Sequence, residues 1–364
     1  MVDKWNTYES PDIRIGHTAI WTGSELIIWG GSSSNGQSSP GISYNPCTNR
    51  WKYISSVGAP TLRYDHSAIW TGDEMIIWGG YLNSEDYNSG ASYNPKNDSW
   101  TAITETNAPL SRSLHTAVWT GDSMIIWGGY NFIQSSLNDG AIYSPNIKLW
   151  TPISGVEPWW RYHHQAAWTG NEMLIWGGYT TVPPIGYLNS GSMLTNGDWS
   201  DMELSGAPNG REKHTMVWTG DSALIWGGNS GGPDLNDGAA YNLLMDEWSD
   251  IESSGAPTRR KDHSAIWTGD EMIIWGGSLT NTGARYNPLN SQWIDTTSMS
   301  VPDPRSKHTA NWTGEEMIVW GGEYTNGQNV NLGMYQVDMN LIKNCIYQSG
   351  FETPGSELVP STDT

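Results

Sequence analysis

The chain has 364 residues, enough for one large domain or two ordinary ones. Lys plus Arg is 18 against 38 Asp plus Glu, a formal charge of −20, so it lacks the basic footprint that nucleic acids and anionic membrane surfaces require. Two cysteines exclude a disulfide scaffold and a cysteine-rich zinc module, and no apolar run approaches the ~18 residues of a membrane span.

Glycine (42) and tryptophan (23) are abundant, whereas Phe occurs twice and only 15% of residues are charged. Along the chain, P-x-x-R-x-x-H-x-x-x-W-T-G followed by W-G-G returns seven times. Its histidines, His17, His66, His115, His164, His214, His263 and His308, lie 49, 49, 49, 50, 49 and 45 residues apart. A period near fifty with paired glycines closing each unit predicts an all-β propeller. In the second unit the strands are expected at His66–Trp70, Met75–Trp78, Ser92-Tyr93 and Trp100–Ile103, bounded by Gly, Asn, Asp and Pro. A four-stranded meander cannot bury both faces alone, so seven units must pack face to face in a ring.

Tryptophan positions predict how the ring closes. The fourth strands carry Trp51, Trp100, Trp150, Trp199, Trp248 and Trp293, one short of seven, and Trp5 supplies the missing one. The N-terminal segment is therefore expected to be the outer strand of the last blade, whose other strands come from about 308–338. The expected organisation is a seven-bladed propeller over 1–338 and a C-terminal extension over 339–364, polar and Pro/Ser/Thr-rich after Ser349.

These units resemble kelch repeats, marked by R-x-x-H, an apolar strand ending in Gly-Gly, then Tyr and Trp at set distances. The resemblance covers roughly residues 5–338. It implies the fold firmly and the function hardly at all, since kelch propellers include galactose oxidase's central domain, N-acetylneuraminate epimerase and many protein-binding adaptors. It also implies that ligands bind on the rim carrying the strand-two-to-three and strand-four-to-one connections. On that rim the strand-two-to-three loops range from five residues (Ser278–Thr282) to twelve (Tyr179–Ser190), as expected of a binding surface.

Seven histidines around a propeller cannot converge on one ion, because zinc needs ligand nitrogens within about 2.1 Å. Structural hydrogen bonding is the expectation, and no metal or other cofactor is expected. Seven of the ten arginines, Arg14, Arg63, Arg112, Arg161, Arg211, Arg260 and Arg305, precede the histidines by three. They either form a cationic ring for a carboxylate or phosphate, or bond loop carbonyls. Asymmetry concentrates in the fourth unit, with the extra tryptophans Trp159 and Trp160, the extra histidine His163, and Tyr187 in the longest loop. Exposed aromatic planes there could stack on sugars or anchor a protein.

No catalytic motif is present. Galactose oxidase-type chemistry needs a cysteine near the binding mouth, and Cys47 falls on the opposite rim. The expected function is a non-catalytic module binding a carbohydrate, acidic or neutral, or an acidic peptide. The alternative is a sugar-processing epimerase or isomerase, drawing its acid and base from rim carboxylates such as Glu85, Asp86, Asp139, Asp234 and Asp237. A monomer is expected, with no nucleic-acid partner and no membrane insertion. Ile346–Glu352 resembles a short segment near the ends of bacterial secreted proteins, which with the low lysine content favours an exported over a cytoplasmic location. An oxidising compartment would allow a Cys47–Cys345 bridge across the closure seam.

Overall fold

The computed structural model describes residues 3–11, 13–33, 41–155, 157–324 and 331–337, and among these there is no helix. Seven four-stranded antiparallel sheets form the blades of a closed ring. Blade 2 is built from Ser67–Trp70, Met75–Trp78, Gly90–Asn94 and Ser99–Ala102, hydrogen-bonded in that order. Register follows the repeat, with Met75 opposite both Trp70 and Tyr93, and Tyr93 opposite Trp100.

Local chemistry explains the fixed turns. After Trp70, the Thr71 hydroxyl accepts the Glu74 backbone N–H at 2.9 Å and donates to the Glu74 carbonyl at 3.1 Å. Gly72 takes φ +103°, a backbone state that side chains disfavour. The W-G-G glycines are needed for a second reason. A Cβ on Gly79 would lie 2.6 Å from the His115 ring and 2.8 Å from the Arg112 carbonyl of the next blade.

The core is a set of blade-to-blade layers. Ile76 and Trp78 of blade 2 pack against Met124, Ile126, Tyr143 and Trp150 of blade 3. Each W-G-G tryptophan meets the outer-strand tryptophan of the next blade, as in Trp29–Trp100, Trp78–Trp150 and Trp127–Trp199 at 5.4–5.7 Å between centroids. A buried aromatic of 150–250 Å² contributes on the order of 4–6 kcal/mol of transfer free energy before entropy is subtracted.

Closure follows the tryptophan arithmetic. Lys4–Glu9 pairs antiparallel with Asn331–Gln336, placing Trp5 opposite Tyr335 and 5.2 Å from Trp275. Across the seam, Trp51 Nε1 donates to the Glu9 carbonyl at 2.9 Å, and Trp320 Nε1 donates to Ser10 Oγ at 2.8 Å. Cys47 sits in the turn between Ile42–Asn45 and Arg50–Tyr53, on the rim opposite the variable loops. Cys345 and the segment 339–364 lie outside the described residues.

Candidate functional site

The arginine ring is scaffold. All seven arginines are 0–2% exposed. Each donates Nη1 to the carbonyl of the first W-G-G glycine sixteen residues on, for example Arg63 to Gly79 at 3.1 Å and Arg112 to Gly128 at 3.0 Å. Arg112 also donates to the Leu110 and Asp139 carbonyls and pairs with the Asp139 carboxylate. The Arg112 carbonyl in turn accepts Gly80 N–H of the preceding blade at 2.8 Å. Left-handed Gly-Gly turns leave carbonyls pointing inward with no backbone donor, and the guanidinium fork supplies them. Burial pushes Arg63, Arg161, Arg260 and Arg305 down to about 10, still ionised at neutral pH. The ligand-capturing ring is therefore corrected: the donors face protein carbonyls and not the channel mouth.

The inner histidines are also buried, each edge-on to a W-G-G tryptophan of the preceding blade, as in His66–Trp29 and His115–Trp78. In six of the seven the Nε2 atom bonds a hydroxyl of that blade, for example His66 to Thr18 at 2.8 Å and His115 to Ser67 at 2.9 Å. Desolvation holds His115 down to about 3, so the ring is neutral. Among the described residues, no three His, Cys, Asp or Glu side chains converge as a metal site.

Three repeat positions remain open to the variable-loop rim: the residue after Arg, the residue after Gly-Gly, and the residue before His. The first two pair through backbone bonds, as Tyr64 with Tyr81, Tyr162 with Tyr179, and Glu212 with Asn229. In blades 2–4 five of these six positions carry tyrosine, Ser113 being the exception, and the loops beyond them form two-stranded hairpins, Tyr81–Leu82 with Glu85–Asp86, Tyr130–Asn131 with Ser135–Ser136, and Tyr179–Thr180 with Gly186–Tyr187. Ring contacts of 4.1–5.9 Å run through Tyr64, Tyr81, Phe132, Tyr130, Tyr162, Tyr179 and Tyr187. At the tip of the blade 3 hairpin, Phe132 is 47% and Ile133 92% exposed.

In blades 5–7 the same positions carry Glu212, Lys261 and Glu323 beside the uncharged Asn229, Ser278 and Ser306, and ion pairs join the charged ones to neighbouring collar and loop residues. His163 Nδ1 lies 2.8 Å from Glu212 Oε2, Lys261 Nζ 3.4 Å from Asp234, and Lys307 Nζ 2.8 Å from Glu323. Burial raises the Glu212 carboxyl, but the His163 bond and nearby lysines outweigh it, leaving Glu212 below its usual value.

The residue before each histidine is Gly16, Asp65, Leu114, His163, Lys213, Asp262 or Lys307, and all seven have φ between +53° and +66°. Backbone bonds link four neighbouring pairs of them, Asp65 N–H to the Gly16 carbonyl, Leu114 to Asp65, Asp262 to Lys213 and Lys307 to Asp262. This left-handed collar rings the channel mouth. Burial pushes the Asp65 and Asp262 carboxyls up, opposed by charges on Lys307 and His163.

Of the four residues singled out in the fourth unit, His163 and Tyr187 join one series through Tyr162 and Tyr179. Trp159, 39% exposed, and Trp160 meet edge to face at 5.2 Å, and among the described residues no ring contact links them to that series. The collar and the paired positions escaped the sequence reading. They vary between repeats, and their sign was that variability beside invariant Arg, His and Gly-Gly. The rim carboxylates proposed as acid and base are largely engaged. Asp139 pairs with Arg112, Asp237 with Arg211, and Asp86 accepts from Ser113 and the Phe132 N–H.

A closed ring of blades, one rim constant and the other carrying varied side chains over a shared scaffold, defines an interaction propeller. The chain matches the KLHDC2/KLHL20/DRC7 Kelch-repeats domain over residues 4–154 and again over 114–322, and it belongs to this kelch-repeat family. No curated protein sequence matches it.

Proposed function

We propose that the chain is a non-catalytic interaction module that takes a protein partner on the aromatic arc of blades 2–4. The observation that carries this is the Phe132–Ile133 tip, held out on a hairpin and backed by tyrosines in tilted and edge-to-face contact. Exposed aromatic and aliphatic anchors on a rigid base are what interfaces bury at their centre. The burial of the arginine ring, together with Glu85 and Asp86 beside the arc, favours a neutral or basic partner segment over an acidic one. A displayed-peptide library tests the reading. Enriched peptides should lose at least tenfold in affinity on Phe132→Ala with Ile133→Ser, with the melt unchanged. Equal binding to the variant, or hits confined to a glycan array, would overturn it.

A carbohydrate on the arc is the second reading, favoured by the partly exposed tyrosine rings. NMR turnover assays on any glycan hit distinguish a binding module from the epimerase-like alternative.

A further inference from the structure

At six of the seven blade junctions the inner histidine meets a hydroxyl of the preceding blade. His17 bonds Thr309, His66 Thr18, His115 Ser67, His164 Thr116, His263 Thr215 and His308 Ser264, all at 2.8–3.0 Å. Between blades 4 and 5 the hydroxyl position is occupied by Gln165, and among the described residues His214 Nε2 has no hydrogen-bond partner although the residue is only 1% exposed. An unmet buried imidazole nitrogen costs on the order of 1–3 kcal/mol, so a break at one junction in seven needs a reason.

That junction opens on a cavity of about 330 Å³ at the channel mouth, lined by Gln165, Lys213, His214, Asp262 and Lys307 among others. The volume is at the small end of ligand pockets, the size of a monosaccharide rather than of a peptide. Lys213 and Asp262, adjacent in the collar, lie too far apart to pair, and neither side chain makes a hydrogen bond or ion pair among the described residues. Lys307 is tied to Glu323 and adds positive potential to the same wall. Desolvation and the Arg211 charge drive His214 down to about 3 against the neighbouring Trp176 carbonyl, so the imidazole is neutral and suited to a hydroxyl.

We propose that this cavity is a binding site for a small hydroxylated carboxylate, a sugar acid or hydroxy acid of monosaccharide size. The carboxylate meets the Lys213 ammonium. One ligand hydroxyl donates to the Asp262 carboxylate, and another takes the place on His214 Nε2 that Ser or Thr fills at the other junctions. The Gln165 carboxamide, free of internal hydrogen bonds among the described residues, moves aside to admit it. His163 lines this cavity and touches Tyr162 of the aromatic arc at 4.9 Å, but the contacts named here use neither the arc's tyrosines nor its Phe132–Ile133 tip, so neither reading depends on the other.

Calorimetry and saturation-transfer NMR at low salt with D-gluconate and D-galacturonate test this, with D-glucose and acetate as controls lacking the acid or the hydroxyls. At least one acid should bind, and glucose and acetate at least tenfold more weakly. Lys213→Met should weaken binding at least tenfold. Gln165→Thr restores the hydroxyl of the other six junctions, so it should hold or raise the melting temperature while weakening binding at least tenfold. Absence of binding by both acids at millimolar concentration would overturn the site, showing that water alone satisfies His214. So would glucose binding as tightly as the acids, or affinity unchanged in both variants. Peptide binding at Phe132–Ile133, measured on the same variants, should not change.

Discussion

The rim of blades 2–4 and the rim of blades 5–7 are built on one scaffold and present different chemistry, aromatic in one and polar or charged in the other, with serine in both at Ser113 and Ser306. Arg112 and Arg211 make the same bonds to W-G-G carbonyls, at 3.0 and 3.1 Å, and to aspartates in the loop beyond. Yet Tyr64, Tyr81, Tyr130, Tyr162 and Tyr179 stand in one half where Glu212, Asn229, Lys261, Ser278 and Glu323 stand in the other. Positions that satisfy buried carbonyls cannot vary, because an unmet buried polar group is costly. Positions whose side chains leave the scaffold are free to specialise. Binding surface and stability are thus separated residue by residue within each repeat.

Breaking what both halves share should have the largest effect. Deleting residues 1–10 removes the Trp5 strand, exposes an edge in blade 7 and leaves Trp275 without its partner, so cooperative melting should be lost. An unchanged melt would refute closure. Next, Arg112→Met and Arg211→Met each strand carbonyls of one blade and should each cost about 3–5 kcal/mol in urea denaturation. A loss confined to one half would show that the scaffold is not equivalent around the ring.

Acid should weaken both halves together. Burial holds His66, His164 and His263 well below the usual value and His115, His214 and His308 down to about 3, so these six are neutral when folded, whereas unfolded histidines titrate near 6.5. Between these values the unfolded chain binds more protons, so stability is full above pH ~6.5 and falls as pH drops towards 3. A urea midpoint unchanged from pH 7.5 to 4.5 would contradict this.

Two smaller tests sharpen the contrast. Trp159→Ala with Trp160→Ala should leave the melt within about 1 kcal/mol, and weakened ligand binding would place the pair in the recognition surface. A large stability loss would make them loop anchors. For Cys47→Ser the smallest effect is expected under reducing conditions. Non-reducing peptide mapping checks the proposed bridge to Cys345, and two free thiols would refute it.

The sequence made the fold legible because the repeat copies the same solution seven times. Trp5 could be assigned to blade 7 from counting alone, and the structure seats it on Trp275. The binding residues were harder to read. R-x-x-H places Arg63 on the rim side of strand one but does not reveal that its guanidinium turns back to Gly79 and Ser89. The Trp159–Trp160 doublet drew notice by composition, whereas the tyrosine arc is assembled from residues about 17 apart within a blade and about 49 apart between blades. One signal was in plain view: Gln165 follows His164 where every other repeat has Ser or Thr after the histidine.

Periodicity and residue type, acting locally, determined the blades, their turns and their number, because a W-T-G turn or a Gly-Gly stop needs only its own neighbours. Which side chains face solvent was decided by the tertiary structure. Closing the ring brings each Gly-Gly turn against the next blade's Arg and His, consuming those polar groups and leaving the positions beside them to form an aromatic arc, a charged arc and a collar at the channel mouth.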